Sequence, residues 1–497
     1  MSYVSPLTAF ARTVEPKTYE LHELARGSSI FNVTHFFHYE NVDGTADFMP
    51  TSLLEEAFVD LLCEFPLMAG ALHTPLRGLF TVVVEPSNLN LPEFKVSHCE
   101  ADFAELKAAN YAPSLLPADA ATAGRYVGPT QGGPRKLAYV HIMRCKGNSG
   151  VVMFVAIAHV LLDGSSFNQV MRRWAELCKH RAAGGAPDAK PGRAIDFDYT
   201  TLSEHIQRGA PPAGAFIRHQ FAPGGLQSRV FVRLPLTTQV TMARLMCGGA
   251  GFGSHFYRIS QETIDALLQV IHKVVPAYQR VSANDAVSAL VNIAMAQCLN
   301  DTAAGDPPTG AFQRAMQSLL RLLKPQPKMF EHIGVADVRT RIGMGPEAPY
   351  CGDAVVHYTS LIPLAEMQGE VTPTMLAQVA MATRKGTESI DRAYVHAMAS
   401  TILAEPDCTV RPFAYGIGPP SHLVITNHSR IGHYQVDFGW GAPVWTNVLE
   451  ESMTAMCYLY SAPPPTTGNI IHLLLPHDIH KRVHHLQFWK DHTEFIR

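Results

Sequence analysis

One short run constrains this chain more than any other. Val151-Val-Met-Phe-Val-Ala-Ile-Ala158 is uninterrupted by any polar residue and ends on His159. It is too short for a long helix and rich in Val and Ile, so it reads as a strand buried on both faces. Lys146-Gly-Asn-Ser-Gly150 before it reads as a turn, and Leu137–Cys145 as the partner strand of a hairpin. After Asp163-Gly164, the residues Phe167, Val170, Met171, Trp174 and Leu177 fall at helical spacing. His159 therefore stands where a core strand gives way to a loop ahead of a helix. That location offers an imidazole a rigid support with one side open, as a general base requires. The His-x-x-x-Asp pattern is not specific by itself. With 24 histidines, about one match arises by chance.

The chain has 497 residues, more than one ordinary core accommodates, which implies two domains of an α/β protein. The formal net charge of -3 excludes a nucleic-acid surface as the main feature, so an anionic ligand would need a local group of Lys and Arg. The nine cysteines are scattered and form no Cys-x-x-Cys, the pattern of reduced thiols. The N-terminus lacks a signal-peptide pattern and no apolar run approaches membrane-spanning length, so a cytoplasmic location is expected. Breaker-rich sequence over 186–228 divides a first domain, 1–185, from a second, 229–497.

Further segments bear on a site. Phe31–Tyr39 reads as a strand with Thr34, Phe36 and His38 on one face and Val33, His35 and Phe37 on the other. Thr34 and His38 are taken as pocket candidates. Ser282, three residues before Asp285, has the form of a capping box at a helix start, where free N–H groups can also receive an anion. His477, His480 and His484 are spaced for one helix face, which reads as solvated. No metal site is expected.

Later stretches, in order, are Asp337-Val-Arg339-Thr-Arg341, Pro349-Tyr-Cys-Gly-Asp353, Thr426-Asn-His428-Ser-Arg430 and Asp437-Phe-Gly439-Trp440-Gly441. With His159-x-x-x-Asp163-Gly164 ahead of them, they resemble the BAHD family of coenzyme-A-dependent acyltransferases. The Asp437–Gly441 pentapeptide is the more specific of that family's two signatures, and the resemblance runs from about Phe31 to about Gln487. It implies two chloramphenicol-acetyltransferase-like α/β domains with a solvent channel between them. It implies no cofactor beyond acyl-CoA as co-substrate, a small-molecule alcohol or amine as acceptor, and a monomer. Acetyl-CoA is the default donor.

By the same resemblance, His159 is the general base and no covalent acyl-enzyme forms. Asp163 points away from substrate and pairs with Arg339, while Gly164 permits the tight exit from the strand. Thr426 supports the oxyanion, and Asp437, Gly439, Trp440 and Gly441 shape a structural loop. Arg280, Arg341 and Ser282 are candidates to meet the phosphates of CoA, and His428 to line the acceptor pocket. Two residues depart from the pattern. His428 stands where tryptophan is usual, and Asp353 where asparagine is common. Two alternatives stay open: a condensation-type enzyme using a carrier-bound donor, and a non-catalytic binding member of the fold.

Overall fold

The computed structural model describes residues 7, 10–11, 13–28, 32–75, 78–120, 136–185, 195–208, 252–276, 279–299, 328–345, 350–404, 422–450, 452 and 454–497. The proposed crossover at 186–228 lies mostly outside them. Its described part carries a helix, Tyr199–Gln207, capped by Asp198, whose side chain accepts from Thr200 N. Tyr199 donates its hydroxyl to Leu161 O at 2.7 Å, so this helix is fastened beneath the His159 loop.

The apolar run forms the strand Gly150–Ala158, buried at every position. It is central in a five-stranded sheet ordered Trp445–Asn447, Asn32–Glu40, Gly150–Ala158, Ala138–Arg144 and Glu93–His98. Period-2 alternation sends Val151, Met153, Val155 and Ile157 into the larger core beneath helices Thr51–Glu64 and Gly164–Ala182. It sends Val152, Phe154 and Ala156 into a second cluster with Phe36 and Met143. Burial on both faces explains why the sequence runs apolar without alternation. The turn before the strand is tight: Gly147 has φ 66° and Asn148 φ 56°.

A seven-stranded sheet follows the order Val355–Pro363, Met329–Asp337, His422–Asn427, Met456–Ser461, Asn469–Pro476, Phe252–Ile259 and Glu494–Phe495. Helices Gln261–His272, Ala283–Leu299 and Pro373–Glu388 cover it, and their apolar faces fill a core of their own. A three-stranded sheet, Lys17–Glu20, Thr81–Val84 and Ala71–His73, completes the frame. Among the described residues no helix is long and apolar enough to cross a membrane.

The two halves interlock. Trp445–Asn447 pairs with Phe36–His38 at the edge of the first sheet. Val338, Tyr350, Cys351, Ala354, Val436 and Phe438 lie in the first core although they come late in the chain. The loop of residues 350–354 is thereby brought over the end of the strand that leads into His159. This is the α/β, two-domain fold that the motifs imply.

Candidate active site

His159 leaves the end of its strand with about a quarter of its side chain open to solvent. Its Nδ1 lies 3.3 Å from Asp353 Oδ2, while the Asp353 carboxyl is fully buried. The contact is at ion-pair distance but misaligned for a hydrogen bond, and among the described residues neither Asp353 oxygen has a hydrogen-bonding partner. Catalytic contacts often have this form before substrate binds. Burial pushes the imidazole down, the Asp353 carboxylate outweighs it, and the His159 pKa is held above its ordinary value.

Asp163 is arranged in the opposite way. Its Oδ1 accepts from Ser166 N at 2.8 Å, capping the helix that starts at Gly164. Its Oδ2 accepts from Ala354 N at 2.9 Å and faces Arg339 Nη1 at 2.9 Å. Arg339 also reaches Asp337 at 2.7 Å, and donates to Ser166 Oγ at 2.8 Å and Gly352 O at 2.9 Å. Burial alone would raise the Asp163 carboxyl, but Arg339 and two backbone donors hold it below its usual value. Gly352 O accepts from Ser166 Oγ as well, and Gly352 N donates to that same oxygen at 3.0 Å. Asp163 thus fastens Gly352 and Ala354, the two residues that flank Asp353.

Gly164 owes its place to close approach rather than to an unusual φ. A Cβ there would come within 3.2 Å of Ile431 Cδ1 and 3.5 Å of the His428 ring. Asn168 Nδ2, one turn on, donates to Ile431 O at 2.7 Å. His428 is therefore pinned beside the His159 loop, with Tyr458 and Tyr460 edge-on to its ring. Burial first, and then the neighbouring His159, push the His428 imidazole down to about 4.

The remaining sequence candidates are placed as follows. Thr426 lies on strand His422–Asn427, one residue from Asn427, whose Nδ2 donates to Asn284 Oδ1 at 2.6 Å. Leu423 and Ile425 face the second core, so alternation turns Thr426 to the other face. Thr34 is buried and its Oγ1 accepts from Leu449 N at 3.2 Å. His38 is buried at the seam with Trp445–Asn447, its Nδ1 3.4 Å from Trp445 O, and burial pushes it down to about 3. It is the opposite face of that strand, through His35, that meets His428, with ring centroids 5.8 Å apart.

Ser282 and Asp285 form the reciprocal cap: Ser282 N donates to Asp285 Oδ2 at 2.8 Å, and Asp285 N to Ser282 Oγ at 3.4 Å. Arg280 is exposed. Arg341 donates to Thr387 O and Ile390 O, both at 2.8 Å, closing the end of helix Pro373–Glu388. Asp437 Oδ1 accepts from Gly439 N at 2.8 Å and Gly441 N at 2.9 Å. Both glycines have positive φ, 112° and 99°, a shape that favours glycine. Phe438 drives into the first core against Trp174, and Trp440 packs on that core from outside.

One sequence reading is corrected. His480 is not on a solvated face: it is buried, stacked on His255 at 3.9 Å, with Nε2 2.9 Å from Gly253 O and 3.2 Å from Leu475 N. Two residues that the motifs did not single out, His35 and His433, are buried beside His428. Nothing in their local sequence marks them.

Residues 16–208 match the model of the Transferase family. The chain is similar to the O-acetyltransferase ptmV of Penicillium ochrochloron, 23% identical over 383 residues, covering 71% of this chain and 72% of that protein. Its fold is similar to that of TRI101 from F. sporotrichioides, solved with coenzyme A and T-2, with TM-score 0.72 and 17% identity over 97% of this chain and all of that one. It is also similar to vinorine synthase, with TM-score 0.58 and 13% identity over 94% of this chain and 95% of the other. The family match over residues 16–208 and the shared fold are those that the BAHD resemblance of the motifs implies.

Proposed function

We propose that the protein transfers an acyl group, acetyl by default, from acyl-CoA to a hydroxyl or amine of a small-molecule acceptor. The carrying observation is the His159–Asp353 contact, which turns Nδ1 toward the carboxylate and leaves Nε2 as the nitrogen available to an acceptor. His159 Nε2 takes the proton from the acceptor O–H or N–H. The acceptor heteroatom bonds to the thioester carbonyl carbon, and Thr426 helps hold the oxyanion. The intermediate then collapses with cleavage of the C–S bond, and the proton on Nε2 passes to the departing CoA sulfur. No acyl-enzyme forms.

Asp353 supports the transient positive charge on His159, and Asp163 acts one step back by fixing the loop that carries Asp353. Arg280 and the Ser282 helix start remain the candidates for CoA phosphates, because the Arg341 guanidinium is committed to two carbonyls. The coenzyme A in the TRI101 complex and the acetyltransferase relative support the donor. The protein acts as a cytoplasmic monomer in this reading.

The test is release of free CoA thiol from an acyl-CoA panel against mixed alcohols and amines. Acceptor-dependent release should fall by about a thousandfold in His159→Ala, within the usual range for loss of a positioned base. Unchanged release in that variant would remove His159 from the mechanism.

A further inference from the structure

His35, His428 and His433 come from three separate segments and converge on one point. Each offers a ring nitrogen, and these atoms all lie within 4.8 Å of one another. The ring centroids of His35 and His433 are 4.1 Å apart, and His428 stands 5.8 and 5.7 Å from them. His35 and His433 are buried, and His428 is half-buried. Both nitrogens of His35, both of His433 and Nδ1 of His428 are buried without a hydrogen-bonding partner among the described residues.

A buried polar atom without a partner is costly, and five in one place form a concentrated cost. The surroundings do not relieve it: Phe37, Phe167 and Tyr460 wall the cluster. A neutral imidazole keeps a lone pair on one ring nitrogen to give. Three neutral imidazoles with converging lone pairs are the donor set of a borderline divalent ion. They suit zinc in particular, which takes three protein nitrogens and leaves a fourth position open.

We propose that His35, His428 and His433 bind a zinc ion beside the acyl-transfer site. With Zn–N bonds of about 2.0–2.1 Å, ligand nitrogens sit roughly 3.4 Å apart around a tetrahedron. The ligand nitrogens, all within 4.8 Å of one another, need to close by at most about 1.4 Å to reach that spacing. The loop carrying His428 and His433 is held by Asn168, whose Nδ2 donates to Ile431 O at 2.7 Å and Gly432 O at 3.4 Å, so two ligands move as one unit. The zinc rigidifies this loop against the strand carrying His35. The inference does not depend on the identity of the donor or acceptor.

The full chain, produced in zinc-supplemented medium and desalted, is analysed for metal content, then stripped with chelator and titrated with zinc against a chromophoric chelator. One zinc per chain is expected. His428→Gln and His433→Gln should each weaken binding by at least about tenfold, and His485→Ala, on the exposed side of helix His477–His485, should leave it unchanged. Cobalt in place of zinc should show visible absorption that His428→Gln alters. Metal at background level in the wild type, equal binding in both glutamine variants, or loss of binding in His485→Ala would overturn the proposal. Thermal transitions confirm folding. If His433→Gln fails to fold, the half-buried His428 decides alone. Metal content is read without any acyl donor, so its outcome is separate from that of the acyl-transfer assay.

Discussion

Two aspartates near His159 are equally buried and oppositely employed. Asp163 meets a guanidinium and two backbone donors. Among the described residues Asp353 has no hydrogen-bonding partner, and only an ion-pair contact with the His159 ring. A fully paired buried carboxylate is a fastener: its energy is already committed to the fold. An unpaired one beside an imidazole is poised, because its charge is compensated only when that imidazole takes a proton. The signature residue is thus the fastener, and the residue outside the signature touches the base.

The comparison breaks most severely if the fastener is cut. Arg339→Met leaves Asp163 as a buried carboxylate facing no cation, with the exposed Asp337 also losing its partner, and should cost about 3–5 kcal/mol in denaturant unfolding. A loss under about 1 kcal/mol would mean that the network is not structural.

Asp353→Asn should do the reverse, with stability nearly unchanged and a lower activity of about tenfold to a hundredfold at neutral pH. Its pH profile follows from the sign of the shift. The base works as neutral imidazole, so kcat/KM rises with pH through the His159 pKa, which Asp353 holds above its ordinary value. Without that carboxylate burial dominates, and the inflection moves to lower pH. The same pair gives stability that is fully present below pH 6.5 and is lost as pH climbs through the raised pKa. Asp163→Asn should show the complementary pattern, a lower melting temperature with the inflection nearly in place.

The smallest effect is expected at Asp437. Its Oδ2 lies 3.7 Å from Lys179 Nζ, and both side chains are well exposed, so Lys179→Ala should change stability by less than about 1 kcal/mol in the same unfolding experiment. The Asp437 hydrogen bonds to Gly439 and Gly441, not the ion pair, hold that turn.

Local chemistry made much of this legible in the sequence. The strand before His159, its hairpin turn, the helix after Gly164 and the Ser282 cap all follow from short-range pattern, and each has its counterpart here. The motif resemblance carried the two-domain fold. What local pattern lacked was convergence. Trp445–Asn447 is three residues long, too short to show a period, yet it completes the first sheet. Asp353 stood out only as a departure from asparagine, and its neighbour became visible once the loop of residues 350–354 was seen folded over the His159 strand. His35, His428 and His433 are distant in sequence and meet only because two sheets interlock. The spacing of His477, His480 and His484, read as one solvated face, misled at His480 for a related reason: helical period gives the face, not what packs on it.

The most direct test of the account is the His159 pKa itself, followed by nitrogen NMR of histidine-labelled protein, with the signal assigned from His159→Ala. A wild-type value above 6.5 is expected, falling in Asp353→Asn and staying nearly in place in Asp163→Asn. A value that fell in Asp163→Asn and not in Asp353→Asn would contradict it, returning the tuning of the base to the signature aspartate.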